Sequence, residues 1–234
     1  MSMAEGSVPA LLHLCDSLFP LGAFAHSDGL EAAAFRAKPR TAEDCVNLLR
    51  SWMDITLDET IGRLEGPAVW SAWRAFCDAR WRTIAALDEE LTALRPSRAA
   101  RRASLAMGRR LLTTWSALHP DPRLDEALAL ARRDRLGPSL AVAFAGACAC
   151  VGTPQRESVA AFAYTRLAAA TSAGMRLMPI GQTDAHGLLA RTLERLPGVV
   201  EGIAERDAPP ESFAPALDIV CLSQQYLHSR LFRS

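Results

Sequence analysis

The sequence predicts an all-α fold, arranged as a single-domain bundle of roughly ten helices. Apolar residues recur with the 3.6-residue period of helices, and alanine, leucine and arginine, which all favour helix, dominate the chain. Strand signals are nearly absent, because β-branched residues are scattered and no run alternates apolar and polar residues for long. Half of the 234 residues are apolar, which suffices for a substantial core.

The first helix is predicted to begin at Ser7, a residue type that caps helix N-termini, and to end near Ser17. A long connection rich in glycine and phenylalanine follows, and a second helix is expected to begin near His26 or Ser27. Ordinary helix connections are shorter and more polar. This connection is therefore the least ordinary part of the N-terminal region.

Capping residues and prolines mark the next helices. Thr41 followed by Asp44 resembles a capping box that opens a third helix, and Pro67 is expected to start a fourth. Pro96 ends the fifth helix, and Ser97 caps the one after it.

The second half of the chain contains the most apolar helices. The Ala-rich stretches 139–151 and 155–173 are apolar on most faces, so we expect them to lie centrally in the bundle. Further helices are predicted near 182–195 and 215–230. The segment 197–215 contains prolines and glycines and is predicted to be the loosest part of the chain.

Composition and charge exclude several classes of protein. The 26 basic and 26 acidic residues balance, which argues against a nucleic acid or an anionic membrane as partner. The start of the chain lacks the pattern of a signal peptide, and the longest apolar run is too short to span a bilayer. None of the six cysteines forms a C-x-x-C pair. We therefore expect a cytoplasmic protein with small, buried, reduced cysteines.

Catalytic and metal-binding motifs are weak or missing. The sequence contains no P-loop, no G-x-S-x-G and no H-E-x-x-H. The five histidines are spread over the whole chain and are interpreted first as structural residues, with two functional alternatives left open. His186 with Asp184, or His13 with Asp16, forms a weak nickel-type ligand pair at a dimer seam. His26 beside Glu31 forms a possible acid–base pair of an uncharacterised enzyme.

Three segments stand out from the helical background: DSLFPLGAFAHSDGLEAAA at 16–34, MRLMPIGQTD at 175–184 and SRLFRS at 229–234. In the second segment, Pro179 disfavours helix at Met178, and Gly181 allows a left-handed turn. The segment is either a plain helical corner or a shaped surface beside the N-terminal connection. The last segment has two large apolar residues between arginines. This pattern indicates either a tail that orders against a partner or a tail that packs on its own chain.

These three segments, in this order and over almost the whole chain, resemble the UreF family of urease accessory proteins. The resemblance implies an all-α protein that is not an enzyme. It implies binding to the accessory protein UreD, called UreH in some systems, homodimers within that complex, and recruitment of the GTPase UreG. Together these proteins load nickel into apo-urease, so no cofactor is expected to stay on this chain and nickel is handled by the complex. The alternative is a metallochaperone that carries nickel through its own histidines.

The resemblance also assigns partner-binding residues and a docking tail. The tail, about 224–234, is the part that docks on UreD in this family, and the whole of 1–234 is expected to form one UreF-like domain. The assigned partner-binding residues are Phe24, His26, Ser27, Gly29, Glu31, Arg176, Gln182, Arg230, Leu231, Phe232 and Arg233. Four positions differ from the usual family pattern: Gln224 and Gln225 replace a His–Glu pair, His228 replaces a tyrosine and His186 replaces a glutamine.

Overall fold

The computed structural model describes residues 7–233, so Ser234 of the predicted tail lies outside the described residues. Eleven α-helical segments occur in this range. They are α1 (Ser7–Cys15), α2 (Leu30–Ala37), α3 (Ala42–Ile55), α4 (Gly66–Cys77), α5 (Trp81–Ala93), α6 (Arg98–Leu118), α7 (Pro122–Arg132), α8 (Leu140–Cys150), α9 (Gln155–Leu177), α10 (Gln182–Arg206) and α11 (Pro215–Ser223). Short 3₁₀ turns lie at Ala23–Ala25 and Gln224–Tyr226.

The all-α prediction is confirmed, since residues 7–233 contain helices and connections but no strand. A π-helical segment, Thr56–Glu65, joins α3 to α4, so the chain forms one continuous rod from Ala42 to Cys77. With that rod counted once, ten separate helices remain. The prediction that Pro67 starts a helix is correct in one respect, because α-helical hydrogen bonding resumes at Gly66. The rod itself is not interrupted before this point.

One predicted helix start and one predicted helix end are wrong. The second helix begins at Leu30 and not near His26 or Ser27, because Asp28 and Gly29 both have positive φ angles, 52° and 100°. Left-handed residues cannot belong to a right-handed helix. The last α-helix ends at Ser223, well before residue 230, and a 3₁₀ turn follows it.

The prediction that 197–215 is the loosest segment is also wrong for its first half. Helix α10 continues through Pro197 to Arg206, and its residues Leu196, Val200 and Ile203 are buried. This apolar stripe holds the helix against the core, and packing outweighs the lost backbone donor of the proline. Only the stretch 207–214 is irregular.

Helix α8 forms the centre of the bundle, as the Ala-rich composition predicts. Every residue from Leu140 to Ala149 is buried, and α4 and α6 pack against it. Helix α9 crosses α4 and α10, but its other side reaches the surface, where Tyr164 is 40% exposed. The prediction of a central position is therefore confirmed for α8 and only partly for α9.

The N-terminus of α8 is capped by side chains from two other helices. The buried Asp88 carboxylate of α5 accepts hydrogen bonds from the amides of Gly137 at 3.0 Å and Ser139 at 2.8 Å. Ser104 of α6 accepts a bond from the Leu140 amide at 3.1 Å. Burial raises the pKa of Asp88, although these hydrogen bonds oppose the shift. The amides at the start of this buried helix, which have no partner within the helix itself, thus have side-chain partners.

No helix among residues 7–233 combines the length and the apolar character that a membrane span requires.

The approach of α6 to the start of α8 predicts a strong effect of Gly108→Ala. A Cβ at this position would lie 2.0 Å from the backbone oxygen of Pro138, and a backbone atom cannot move aside as a side chain can. Urea denaturation should show a loss of about 3 kcal/mol in the free energy of unfolding. Gly198→Ala is the matched control, because its Cβ would meet nothing within 4 Å and should change stability by less than about 1 kcal/mol. Equal effects at the two positions would contradict this packing.

Candidate partner-docking surface

The C-terminal tail lies against the N-terminal connection within the same chain. The amides of Leu231 and Phe232 donate to the carboxylate of Glu31, at 2.5 and 3.2 Å. The amide of Arg233 donates to the backbone oxygen of Ala25 at 2.8 Å. Glu31 is only 8% exposed, so the tail covers the carboxylate that holds it. Of the two alternatives for the tail, the structure contains the intramolecular packing.

Arg176 joins the second segment to the other two. Its guanidinium stacks over the ring of Phe232, 4.4 Å from the centroid, and its Nη1 donates to the backbone oxygen of Phe24 at 2.5 Å. Phe232 is 3% exposed, so this is a buried ring with a cation on its face. The three segments that stand out in the sequence therefore meet at one place, which we call the cluster.

Gln224 lies at the centre of this cluster. Its side chain is buried, and its Nε2 donates to Ser27 Oγ at 3.1 Å and to Glu31 Oε2 at 3.3 Å. The position is one of the four at which this chain differs from the usual family pattern. Here the glutamine connects the 3₁₀ turn that begins the tail to the start of α2.

Gly29 is required both by its backbone angle and by the space around it. Its φ is 100°, and a Cβ there would lie 2.8 Å from Cys221 Sγ in α11. Burial raises the pKa of the Cys221 thiol to about 12, so the thiol stays protonated and donates to the backbone oxygen of Asp28 at 3.2 Å. Helix α11 therefore packs directly on the turn that precedes α2.

A chain of ion pairs lies beneath this turn. Arg166 of α9 contacts Asp28 at 2.7 Å through Nη1 and Glu65 at 2.9 Å through Nε. Glu65 also pairs with Arg95 from the connection between α5 and α6. Burial alone would raise the pKa of Asp28, but the guanidiniums of Arg166 and Arg95 outweigh it and hold that pKa below its usual value. We call Asp28, Arg166, Glu65 and Arg95 the ion-pair chain.

His26 stands beside this chain and is half-buried. Burial lowers its pKa, Asp28 opposes the shift, and Arg233 and Arg166 add to it. Both oxygens of Glu31 accept hydrogen bonds from the tail or from Gln224. This carboxylate thus holds a peptide segment, an arrangement that gives no support to a catalytic pair with His26.

The pairs suggested as metal ligands do not gather further ligands. Across residues 7–233, no group of three or more His, Cys, Asp or Glu side chains is placed to hold a metal ion. The ring of His13 instead packs against Phe19 and Trp115, with centroid distances of 5.3 and 6.0 Å. His186 and Asp184 lie exposed in the first turns of α10.

The remaining predicted site residues lie at the margin of the cluster or outside it. The side chains of Arg230 and Arg233 are exposed on the tail. Gln182 is exposed at the first residue of α10 and takes part in none of the cluster contacts described above. The predicted left-handed turn at Gly181 is wrong, because its φ is −63°, while Met178 is extended as Pro179 requires.

Sequence reasoning did not assign Asp28, Arg166 or Glu65 to the site, and it placed Gln224 only within the predicted docking tail. A signal existed for two of them. Arg166 is the single charged residue between residues 158 and 175 of an Ala-rich helix, and Glu65 immediately precedes a run of small and apolar residues, 66–70. A buried charge is retained only when it is paired, so each of these residues implied a partner. The partners themselves lie too far along the chain to be named from local patterns.

An apolar groove continues outward from the cluster. It has a volume of about 790 Å³ and lies between α1, the connection 16–24 and α9. Several of its large side chains are exposed, among them Leu12 at 68% and Phe24 at 72%. At the other margin, Leu231 on the tail is 55% exposed. We define the docking surface as the tail, the connection around Phe24, and the two residues that join them, Glu31 and Arg176.

The bonds to Glu31 predict that Glu31→Gln loosens the tail without unfolding the protein. An amide offers one acceptor oxygen where the carboxylate offers two, and charge-assisted bonds are the stronger ones. Hydrogen exchange of the Leu231 and Phe232 amides should accelerate roughly tenfold, while exchange in α8 stays unchanged. Glu205→Gln, an exposed position on α10, is the control and should leave the tail protected. Unchanged protection in the Glu31 variant would refute the role of this carboxylate.

Comparison with known proteins identifies the family. The model of the UreF family matches residues 46–193, more than half of the chain. The chain is 30% identical to the urease accessory protein UreF of Arthrobacter sp. (strain FB24) over 236 residues, with 100% of both chains covered. It is 31% identical to that of Pseudomonas paraeruginosa (strain DSM 24068 / PA7), covering 97% of this chain and 99% of the relative. The bifunctional urease accessory protein UreEF of Bordetella bronchiseptica is 30% identical, and the match covers 53% of that longer protein.

The matched region of the family model comprises most of the bundle, including the rod from α3 to α4 and helices α8 and α9. The relatives extend the similarity to the N-terminal connection and the tail, which carry the cluster. The chain therefore belongs to the UreF family of urease accessory proteins, as the three segments predict.

Proposed function

We propose that this urease accessory protein is a non-catalytic adaptor of the cytoplasm. In this role it binds UreD (UreH), recruits the GTPase UreG, and supports nickel insertion into apo-urease. The observation that carries the proposal is the convergence of three distant segments on one surface that ends in exposed apolar side chains. Such a surface serves recognition of a protein, since exposed apolar residues beside positive charges are typical of interfaces.

The UreD-binding part of the proposal rests on the tail. Its backbone is held by Glu31 and Ala25, so Leu231, Arg230 and Arg233 project from an ordered segment. A preorganised segment loses less conformational entropy on binding than a disordered one. Leu231 is then the apolar contact, and the two arginines pair with carboxylates of the partner.

For the homodimer, the apolar groove beside α1 is the supporting feature. Val8 and Leu12 lie one helical turn apart on α1 and are 47% and 68% exposed, and Leu12 lines the groove itself. An exposed apolar helix edge that borders a groove suits a two-fold interface, in which the same surface of each copy packs against the other. UreD and the second copy would thus use adjacent but different parts of the protein.

Cooperation with further accessory proteins draws support from the bifunctional relative, whose name joins UreE and UreF in one protein. The alternative, in which this chain carries nickel through its own histidines, has less support. Within residues 7–233, the histidines lack the additional ligands of a preorganised site. Calorimetry of the isolated protein with Ni²⁺ separates the two, because only the carrier predicts saturable binding.

Replacement of Leu231 by aspartate tests the docking role directly. Co-purification should show that the unchanged chain captures UreD and, through that complex, UreG. Leu231→Asp and deletion of residues 229–234 should each abolish capture of UreD, because a charge or a gap replaces the exposed apolar contact. The control is Leu118→Asp at the end of α6, since Leu118 is also about half exposed, at 50%, but lies outside the docking surface. Capture of UreD by the deletion variant would contradict the role of the tail.

A further inference from the structure

The ion-pair chain lies beneath the docking surface, and its ion pairs join residues outside the groove and the tail, so its role needs a separate explanation. It joins four parts of the fold: the turn before α2, helix α9, the end of the π-helical segment and the connection between α5 and α6. The Glu65 side chain is 3% exposed and the Arg166 side chain 12%. Its formal charges, two positive and two negative, balance.

Stability alone is a weak reason for such an arrangement. Moving charges out of water is unfavourable, and a buried ion pair often stabilises a fold no more than apolar residues of the same size would. The best-attested use of a buried ionic group is to select one geometry among several. The question is therefore which geometry this chain of charges selects.

The outer end of the ion-pair chain is Asp28, and the geometry selected is that of the turn around it. Asp28 has a φ of 52°, a left-handed conformation that is uncommon for residues other than glycine. Arg166 holds the side chain of Asp28, while Cys221 holds its backbone oxygen. Ser27 and Gly29 on either side belong to the cluster, and the amide of Leu30 bonds back to Ser27 at 3.0 Å. A change at Asp28 would therefore turn the start of α2, and Glu31 with it.

The inner end is fixed by the π-helical segment. Glu65 is its last residue, and the amide of Gly66 bonds to the oxygen of Ile61, five residues earlier. If Thr56–Glu65 rewound into an α-helix, Glu65 would move to another side of the rod and lose Arg166. Here the π-helical register is what directs Glu65 toward α9.

We infer that Arg166, oriented by Glu65, is a positioning residue of the docking surface. Its planar guanidinium reaches Glu65 and Asp28 at once and thereby transfers the fixed position of the rod to the turn that carries Ser27, Gly29 and Glu31. The tail is then held in its place through Glu31. This inference rests on the proposed function only for the identity of the partner, since the positioning itself is a property of the isolated chain.

The decisive variant is Arg166→Lys. Lysine keeps the charge balance of the buried chain, but its single ammonium group cannot reproduce the two-sided contact of a guanidinium. In the isolated protein, exchange of the Leu30 and Phe232 amides should become roughly tenfold faster, while the amides of α8 keep their protection. Capture of UreD should fall in parallel. Arg195→Lys is the matched control, because Arg195 also bridges two carboxylates, Asp54 and Asp58, but on the exposed side of the rod.

Asp28→Asn is the second variant, which protects the test if Arg166→Lys does not fold. Asparagine tolerates the left-handed conformation, so this change removes the last ion pair and leaves the backbone preference in place. It should accelerate exchange of the same two amides. Exchange identical to the unchanged protein in the variants that fold, or acceleration that extends equally to α8, would overturn the inference. If exchange changes as expected but the unchanged protein does not capture UreD, the proposed function fails and the positioning role stands.

Discussion

The docking surface depends on the hydrogen bonds that the carboxylate of Glu31 accepts. It accepts two backbone amides from residues 200 and 201 positions later in the chain, and a third bond from Gln224. A buried carboxylate without donors would be strongly unfavourable, whereas one with three donors is stabilised by charge-assisted bonds. The tail and α2 therefore stabilise each other. Without the tail, which begins at Gln224, Glu31 loses all three of these donors, and without Glu31 the amides of Leu231 and Phe232 lose their acceptor.

Around this contact, the fold is arranged in layers of decreasing burial. The fully buried α8 fixes α4 and α6, and the rod and α9 carry the ion-pair chain toward the surface. The turn at Asp28 and Gly29 then sets the direction of α2. The apolar side chains of Leu231 and Phe24 stand at the end of this series, exposed but attached to fixed backbone. This order separates the groups that give stability from the groups available for recognition, as the proposed adaptor role requires.

Local patterns predicted much of the fold, and their failures have a common cause. Periodicity and capping residues placed most helices, including the capping box at Thr41, and composition placed α8 at the centre. The errors occur where distant contacts decide the backbone. The helix expected from His26 is delayed by the turn that Arg166 and Cys221 hold, and α10 runs through Pro197 because its apolar stripe packs on the core.

The candidate site, like the fold, was predicted only in part. Its three segments were visible in the sequence because each breaks the helical pattern. Their meeting point was not, because it is formed by Arg176, Glu31 and Gln224, whose contacts are with residues 56 to 201 positions away. Gln182 belongs to the same motif as Arg176 and yet lies apart from the cluster. A shared motif therefore did not guarantee a shared contact.

A double-mutant cycle between Arg176 and Phe232 tests most directly whether the segments form one surface in the isolated protein. The free energy of unfolding is measured for Arg176→Met, Phe232→Leu and the double variant. An exposed cation stacked on a buried ring predicts a coupling energy of about 0.5–1 kcal/mol between the two positions. Strictly additive effects would mean that the tail does not pack on α9 in solution, and would contradict the account.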